Sequence, residues 1–114
     1  MPNILYLMAD DMRPGLKSYG HDFMITPNLD ALAARGLQFQ FAYTNYPYCA
    51  PSRNSFLSGR RPDRTRVWNF EVTFRETVGA NWTTMPEHFL NNGYVTTAAG
   101  KIYHDGEDDP KSWS

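Results

Sequence analysis

The run "NILYLMA", residues 3–9, constrains this chain more than any other stretch. It is apolar almost throughout, carries no charge, and ends abruptly in Asp10-Asp11. It is too short to cross a bilayer and lacks the basic start and the cleavage site of an export signal. A period-2 alternation would mean a strand with one wet face. Here both faces are apolar, which predicts a strand covered on both sides, as in a parallel sheet. Such a sheet needs helices to cover it.

The rest of the sequence supplies them. "TPNLDALAARG" reads as a helix, with Thr26 able to cap, Pro27 at the first helical position, Leu29 and Leu32 as an apolar stripe, and Gly36 closing it. "LQFQFAY" alternates, with Leu37, Phe39, Phe41 and Tyr43 on one face, and predicts a strand. A loop containing Cys49 leads into a short helix through Ser55, Phe56 and Leu57 that stops near Gly59. Residues 61–80 have no strong periodicity and read as irregular. "TTMPEHFLNNG" repeats the helix grammar from Thr84 to Gly93, and "YVTTAA" reads as another strand running into "GKIYHDG". This order predicts an α/β fold, a mostly parallel sheet flanked by helices. No repeat or low-complexity tract interrupts it. The chain stops at "DDPKSWS" without an element to finish the sheet, so residues 1–114 are expected to be the amino-terminal portion of a larger domain, with no internal boundary.

Composition excludes several functions. With 114 residues, a net charge of −1 and 41% hydrophobic residues, the chain suits one globular unit with a modest core. A near-neutral charge gives no reason to expect nucleic acid, and no segment suggests a membrane partner. The single cysteine excludes an internal disulfide. As it stands the sequence shows no signal peptide and reads as cytoplasmic, or as periplasmic or lysosomal if a signal lies upstream. Asn81-Trp82-Thr83 fits a glycosylation pattern that is common by chance. The arginines at 53, 60, 61, 64 and 66 and the acids Asp105, Glu107, Asp108 and Asp109 read as solvated loops.

Ligands in open α/β sheets bind beyond the carboxyl ends of the strands, and three suspicious groups fall there. Asp10 and Asp11 end the first run; at a strand end the backbone can turn both carboxylates toward one cation, and an all-oxygen set favours calcium or magnesium over zinc. The plainer alternative is one turn cap and one solvated acid. Lys101 and His104 follow the last run, where a lysine could neutralise an anion and a histidine could move a proton. The plainer alternative is surface solvation, which is also the reading for His21 and His88. Cys49 precedes a helix whose amino end attracts anions. A free cysteine is most often a small buried hydrophobe, but Pro47, Pro51 and the polar helix start do not read as core. A low-pKa nucleophilic thiol is the alternative.

The sequence "CAPSRNSFLSGRRP" resembles the sulfatase signature, C-x-P-S-R followed by a Leu-Ser/Thr-Gly-Arg segment. "PNILYLMADDMRP" is similar to that family's opening strand, "TPNLDALAARGLQFQFAY" to its next helix and strand, and "NNGYVTTAAGKIYHDG" to its Gly-Lys-x-x-His segment. The "RRPD" after the signature, the Lys101–His104 spacing and the closing "SWS" look most like the iduronate-2-sulfatase branch.

The resemblance implies an alkaline-phosphatase-like α/β fold and a sulfuric ester hydrolase. It implies that a maturation enzyme oxidises Cys49 to formylglycine, with Pro51 and Arg53 part of the recognised sequence. The hydrated aldehyde then attacks sulfur and eliminates sulfate in a second step. Asp10, Asp11 and the residue at position 49 would bind a divalent cation, calcium with magnesium as the alternative. Arg53 would hold the formylglycine hydroxyl, Lys101 would bridge to substrate, and His104 would take a proton. The implied substrate is a sulfated carbohydrate, a 2-sulfated uronate sugar of glycosaminoglycan degradation. The family's remaining metal and sulfate ligands do not occur in these residues, so the fragment alone is expected to be inactive. Phosphonate or phosphodiester hydrolysis on the same fold, and an inactive remnant acting as a binding module, stay open as alternatives.

Overall fold

The structure, a computed structural model, describes residues 1–114 as two units, Met1–Tyr43 and Thr44–Ser114. Its regular elements are helices α1 (Pro27–Arg35), α2 (Cys49–Ser58), α3 (Pro62–Thr65), α4 (Phe74–Thr77) and α5 (Met85–Asn91), with single 3-10 turns at Lys17–Tyr19 and Pro110–Ser112. None is long and apolar enough to cross a membrane.

In the first unit, α1 forms where expected, with Pro27 at its start and the Gly36 N–H closing it on the Leu32 carbonyl at 2.9 Å. The turn at Lys17–Tyr19 is tied to the segment beyond α1 by Tyr19 Oη donating to Phe39 O and Gln38 Nε2 to Ser18 O, both at 3.0 Å. No residue of this unit is buried, and the stripe of α1, Leu29 and Leu32, faces solvent.

No strand forms at 3–9, 37–43 or 94–99, so the expected sheet is not seen within these residues. A strand exists only as part of a ladder, because its N–H and C=O groups need a neighbour on either side. None of these apolar runs forms a ladder, and Leu5, Leu7, Phe41 and Val95 stay exposed.

The second unit has a core. Leu57, Val67, Phe74 and Tyr103 are buried together, with Phe56, Trp82, Met85, Ile102 and Trp113 packed around them. Each fully buried apolar side chain is worth about 1.5–3 kcal/mol. Packed against α3 and α5, α2 ends as the sequence predicts, on Gly59 at φ 67°, with the Arg60 N–H reaching back to Ser55 O at 3.0 Å. Residues 61–80 are not wholly irregular: α3 starts on Pro62, and α4 is held by Glu76 Oε2 accepting from Thr73 N at 2.6 Å. One-turn helices are too short to show a period, so the pattern alone could not reveal them. For α5, Thr84 Oγ1 accepts from Glu87 N and Glu87 Oε2 from Thr84 N, both at 3.2 Å, a reciprocal cap.

A polar knot closes this unit. Arg75 binds Asp109 and Glu87 and donates to the carbonyls of Gly79, Ala80 and Trp82. Ser112, fully buried, bonds Asp109 Oδ2 at 2.8 Å and Thr84 Oγ1 at 2.7 Å. The closing "SWS" is anchored rather than loose, since Ser114 N and Oγ both bond the backbone of Thr96.

Candidate functional site

Cys49 is the first residue of α2, not the residue before it, and is half-buried. Tyr48 caps the helix in extended conformation without using its side chain, which leaves first-turn N–H groups for an anion. The helix start is also more buried than its polarity suggests. Pro47 is exposed as expected, but Ala50, Pro51, Arg53, Asn54 and Ser55 are all buried, which corrects the expectation that Pro51 and the helix start lie outside the core. Polar residues reach the interior here because each has a partner.

Arg53 shows how. One turn after Cys49, it is 3% exposed, and its Nη1 donates to the carbonyls of Lys101 and, at 2.9 Å, Ile102. The structure therefore brings α2 and the "GKIYHDG" loop together through a guanidinium. Lys101 and His104 are half-buried and line a groove of about 520 Å³ along residues 96–106 that Cys49 and Arg53 do not line. The His104 ring stacks on Phe70 at 4.1 Å, and Phe70 in turn lies 4.2 Å from Tyr48, the residue before Cys49. Three rings thus link the histidine to the start of α2.

Asp10 and Asp11 belong to the first unit and are exposed. Asp11 sits at φ 51°, the left-handed region that aspartate tolerates better than most residues. That turn breaks the strand-like alternation of adjacent side chains, and two neighbouring exposed carboxylates suit a hard divalent cation.

Of the acidic run, Asp105 and Asp108 are exposed as expected, but the other two acids are not. Glu107 is 9% exposed and Asp109 3%. Burial pushes the Glu107 carboxyl above the usual range, with an Asn54 hydrogen bond and His104 pulling the other way. Burial would raise Asp109 too, but hydrogen bonds from Arg75 and Ser112 outweigh it and hold that carboxyl below its ordinary value. Tyr103, buried beneath the loop, is pushed up to about 12, chiefly by desolvation.

Sequence reasoning missed Arg75 and Asn54. Arg75 meets Asp109 from 34 positions away, and no local pattern announces such a pair. Asn54 lies within the cysteine motif, and the only available signal was a polar amide in a short helix with apolar neighbours. Of the arginines after the motif, Arg60 is engaged, with its guanidinium 4.2 Å over the Trp82 ring and Nη1 donating to Ser58 O at 2.7 Å. Arg61, Arg64 and Arg66 are exposed, and Arg61 pairs loosely with Asp63 at 3.5 Å.

Comparison with known proteins points one way. The family profile described as "Sulfatase" matches residues 2–110. The chain is 46% identical to human iduronate 2-sulfatase over 98% of its own length and 21% of the relative's. It is 39% identical to choline-sulfatase of Rhizobium meliloti strain 1021 (94% and 20%) and 43% identical to bovine arylsulfatase A (88% and 20%). The chain spans about a fifth of the length of these curated relatives.

Proposed function

The chain belongs to the sulfatase family, and on that premise we propose that it is the amino-terminal part of a catalytic domain that hydrolyses sulfate esters, with Cys49 as the precursor of the nucleophile. The family implies an alkaline-phosphatase-like α/β fold, whose sheet the opening apolar runs would join once neighbouring strands are present. One observation carries the reading. The motif "CAPSR" opens α2 with Cys49 at the first helical position and with Arg53 buried one turn later, tied to the loop of Lys101 and His104.

Oxidation of Cys49 to formylglycine by a maturation enzyme, with dioxygen as oxidant and sulfide leaving, would supply an aldehyde whose hydrate offers a hydroxyl nucleophile. The N–H groups of the first turn of α2 would face the sulfate charge. Arg53 would hold the residue at position 49 while its other contacts keep the partner loop in place. Lys101 would neutralise a sulfate oxygen, and a His104 ring nitrogen would accept a proton as sulfate leaves. Asp10 and Asp11, with an oxygen of the converted residue 49, would hold a divalent cation, calcium or magnesium, which supplies positive charge to the sulfate oxygens. Choline-sulfatase and arylsulfatase A are named for a sulfated small molecule and for aryl esters, while the iduronate 2-sulfatase match extends over 98% of the chain. That match supports a 2-sulfated uronate sugar as the substrate.

The test is chemical. With a maturation enzyme present, the peptide containing Cys49 should lose hydrogen sulfide and gain one oxygen, and the full-length protein should release sulfate from a sulfated sugar. An intact thiol, in cells that convert a control sulfatase, overturns the proposal.

A further inference from the structure

We propose that Asn54 and Glu107 form a latch that positions His104, a role that rests on the sulfatase reading and adds two residues to it. Asn54 is completely buried, and its amide has only one sensible orientation. Oδ1 accepts from Phe74 N at 2.9 Å, so Nδ2 must face the other way, where it donates to Ala50 O at 2.9 Å and to Glu107 Oε2 at 3.3 Å. Glu107 N in turn donates to His104 O at 2.9 Å, closing a four-residue turn that begins at the histidine.

The loop 101–107 is thus held at both ends by consecutive residues of α2. Arg53 grips the carbonyls of Lys101 and Ile102 at its entry, and Asn54 grips Glu107 at its exit. His104 lies between the two anchors, and its ring has only Phe70 to stack on. Glu107 is a poor candidate for any role that needs free charge. It is buried, its Oε1 has no hydrogen-bond partner, and its one side-chain bond goes to Asn54. The carboxyl acts as an acceptor that fixes a backbone turn, and small displacements of a proton-transfer group are costly in rate.

Full-length protein, converted at position 49, separates this from a general packing role. Asn54→Asp sets two acceptors face to face and should lower kcat about tenfold or more with KM little changed. Glu107→Gln keeps an acceptor and should stay within about threefold of wild type. The exchange Asn54→Asp with Glu107→Gln restores a donor facing an acceptor across the latch, although Ala50 O still loses its donor, so it should regain at least about threefold in kcat over Asn54→Asp. A double variant no faster than Asn54→Asp overturns the latch, as does Asn54→Asp within about twofold of wild type. The sulfatase reading fails differently: wild type releases no sulfate, or His104→Ala turns over as fast as wild type.

Discussion

The guanidinium of Arg75 holds the Asp109 carboxylate through two parallel hydrogen bonds, Nε to Oδ1 at 3.1 Å and Nη2 to Oδ2 at 2.8 Å. The same Nη2 reaches Glu87 at 2.8 Å. This fork joins α4, the start of α5 and the turn at Pro110–Ser112, and the Asp109 side chain is only 3% exposed. Removing one partner leaves the other buried without compensation. Arg75→Ala should lower unfolding free energy by about 3–5 kcal/mol, and Arg75→Lys should lose much of it because lysine cannot make the fork. Urea unfolding measures both, and a loss under about 1 kcal/mol would count against the knot.

Two carboxyls give opposite pH signatures. Asp109 is depressed in the folded state, so its contribution is full above the unfolded value of about 4 and is lost as pH falls through the folded value. The gap between wild type and Arg75→Ala should therefore narrow in acid. Glu107 is raised, so its contribution is full below about pH 4 and is lost as pH rises through the folded value. Glu107→Gln should gain on wild type as pH rises from about 4 toward neutrality. Urea midpoints across that range read both trends, and a reversed trend for either refutes its assignment.

Substrate choice is the third expectation. A 2-sulfated uronate disaccharide should be preferred over a 6-sulfated hexosamine and an aryl sulfate by the full-length enzyme. Among the arginines after the cysteine motif, Arg61, Arg64 and Arg66 are exposed and could meet a uronate carboxylate, whereas Arg60 is committed to Trp82. Preference for either competitor by more than about tenfold in kcat/KM, about 1.4 kcal/mol, sinks the uronate assignment and leaves sulfate-ester hydrolysis standing.

The isolated 114 residues should turn over no sulfate ester and should open unevenly. No side chain before Tyr43 is buried, whereas Asn54, Leu57, Val67 and Phe74 are almost fully so. Limited proteolysis should cut within 1–43 first, and the slowest amide exchange should fall in α2. Early cleavage within α2 would contradict that order.

Helices with local signals were legible in the sequence and strands were not. Pro27, Gly59, Thr84 and Gly93 punctuate the chain through their own backbone preferences, so α1, α5 and the end of α2 fall where the letters put them. The runs at 3–9, 37–43 and 94–99 carry strand-like side chains, but a strand's hydrogen bonds lie in another segment, and no local pattern contains them. At the candidate site the motif letters named Cys49, Arg53, Lys101 and His104, and the structure ties Arg53 to the loop of the other two. What holds that loop, the Asn54–Glu107 contact across 53 positions, was beyond any pattern of spacing.

The burial of the motif itself sets an order of events. Pro51 and Arg53 are withdrawn from solvent in α2, and Arg53 spends its guanidinium on the carbonyls of Lys101 and Ile102. An enzyme that must read both side chains to modify Cys49 would find them hidden once the helix has docked. The loop that engages Arg53 lies about fifty residues further along the chain, so the letters "CAPSR" are readable while that loop is still being made. Folding, on this view, acts as a deadline, and any change that hastens docking of the Lys101 loop should lower the fraction of molecules ever converted.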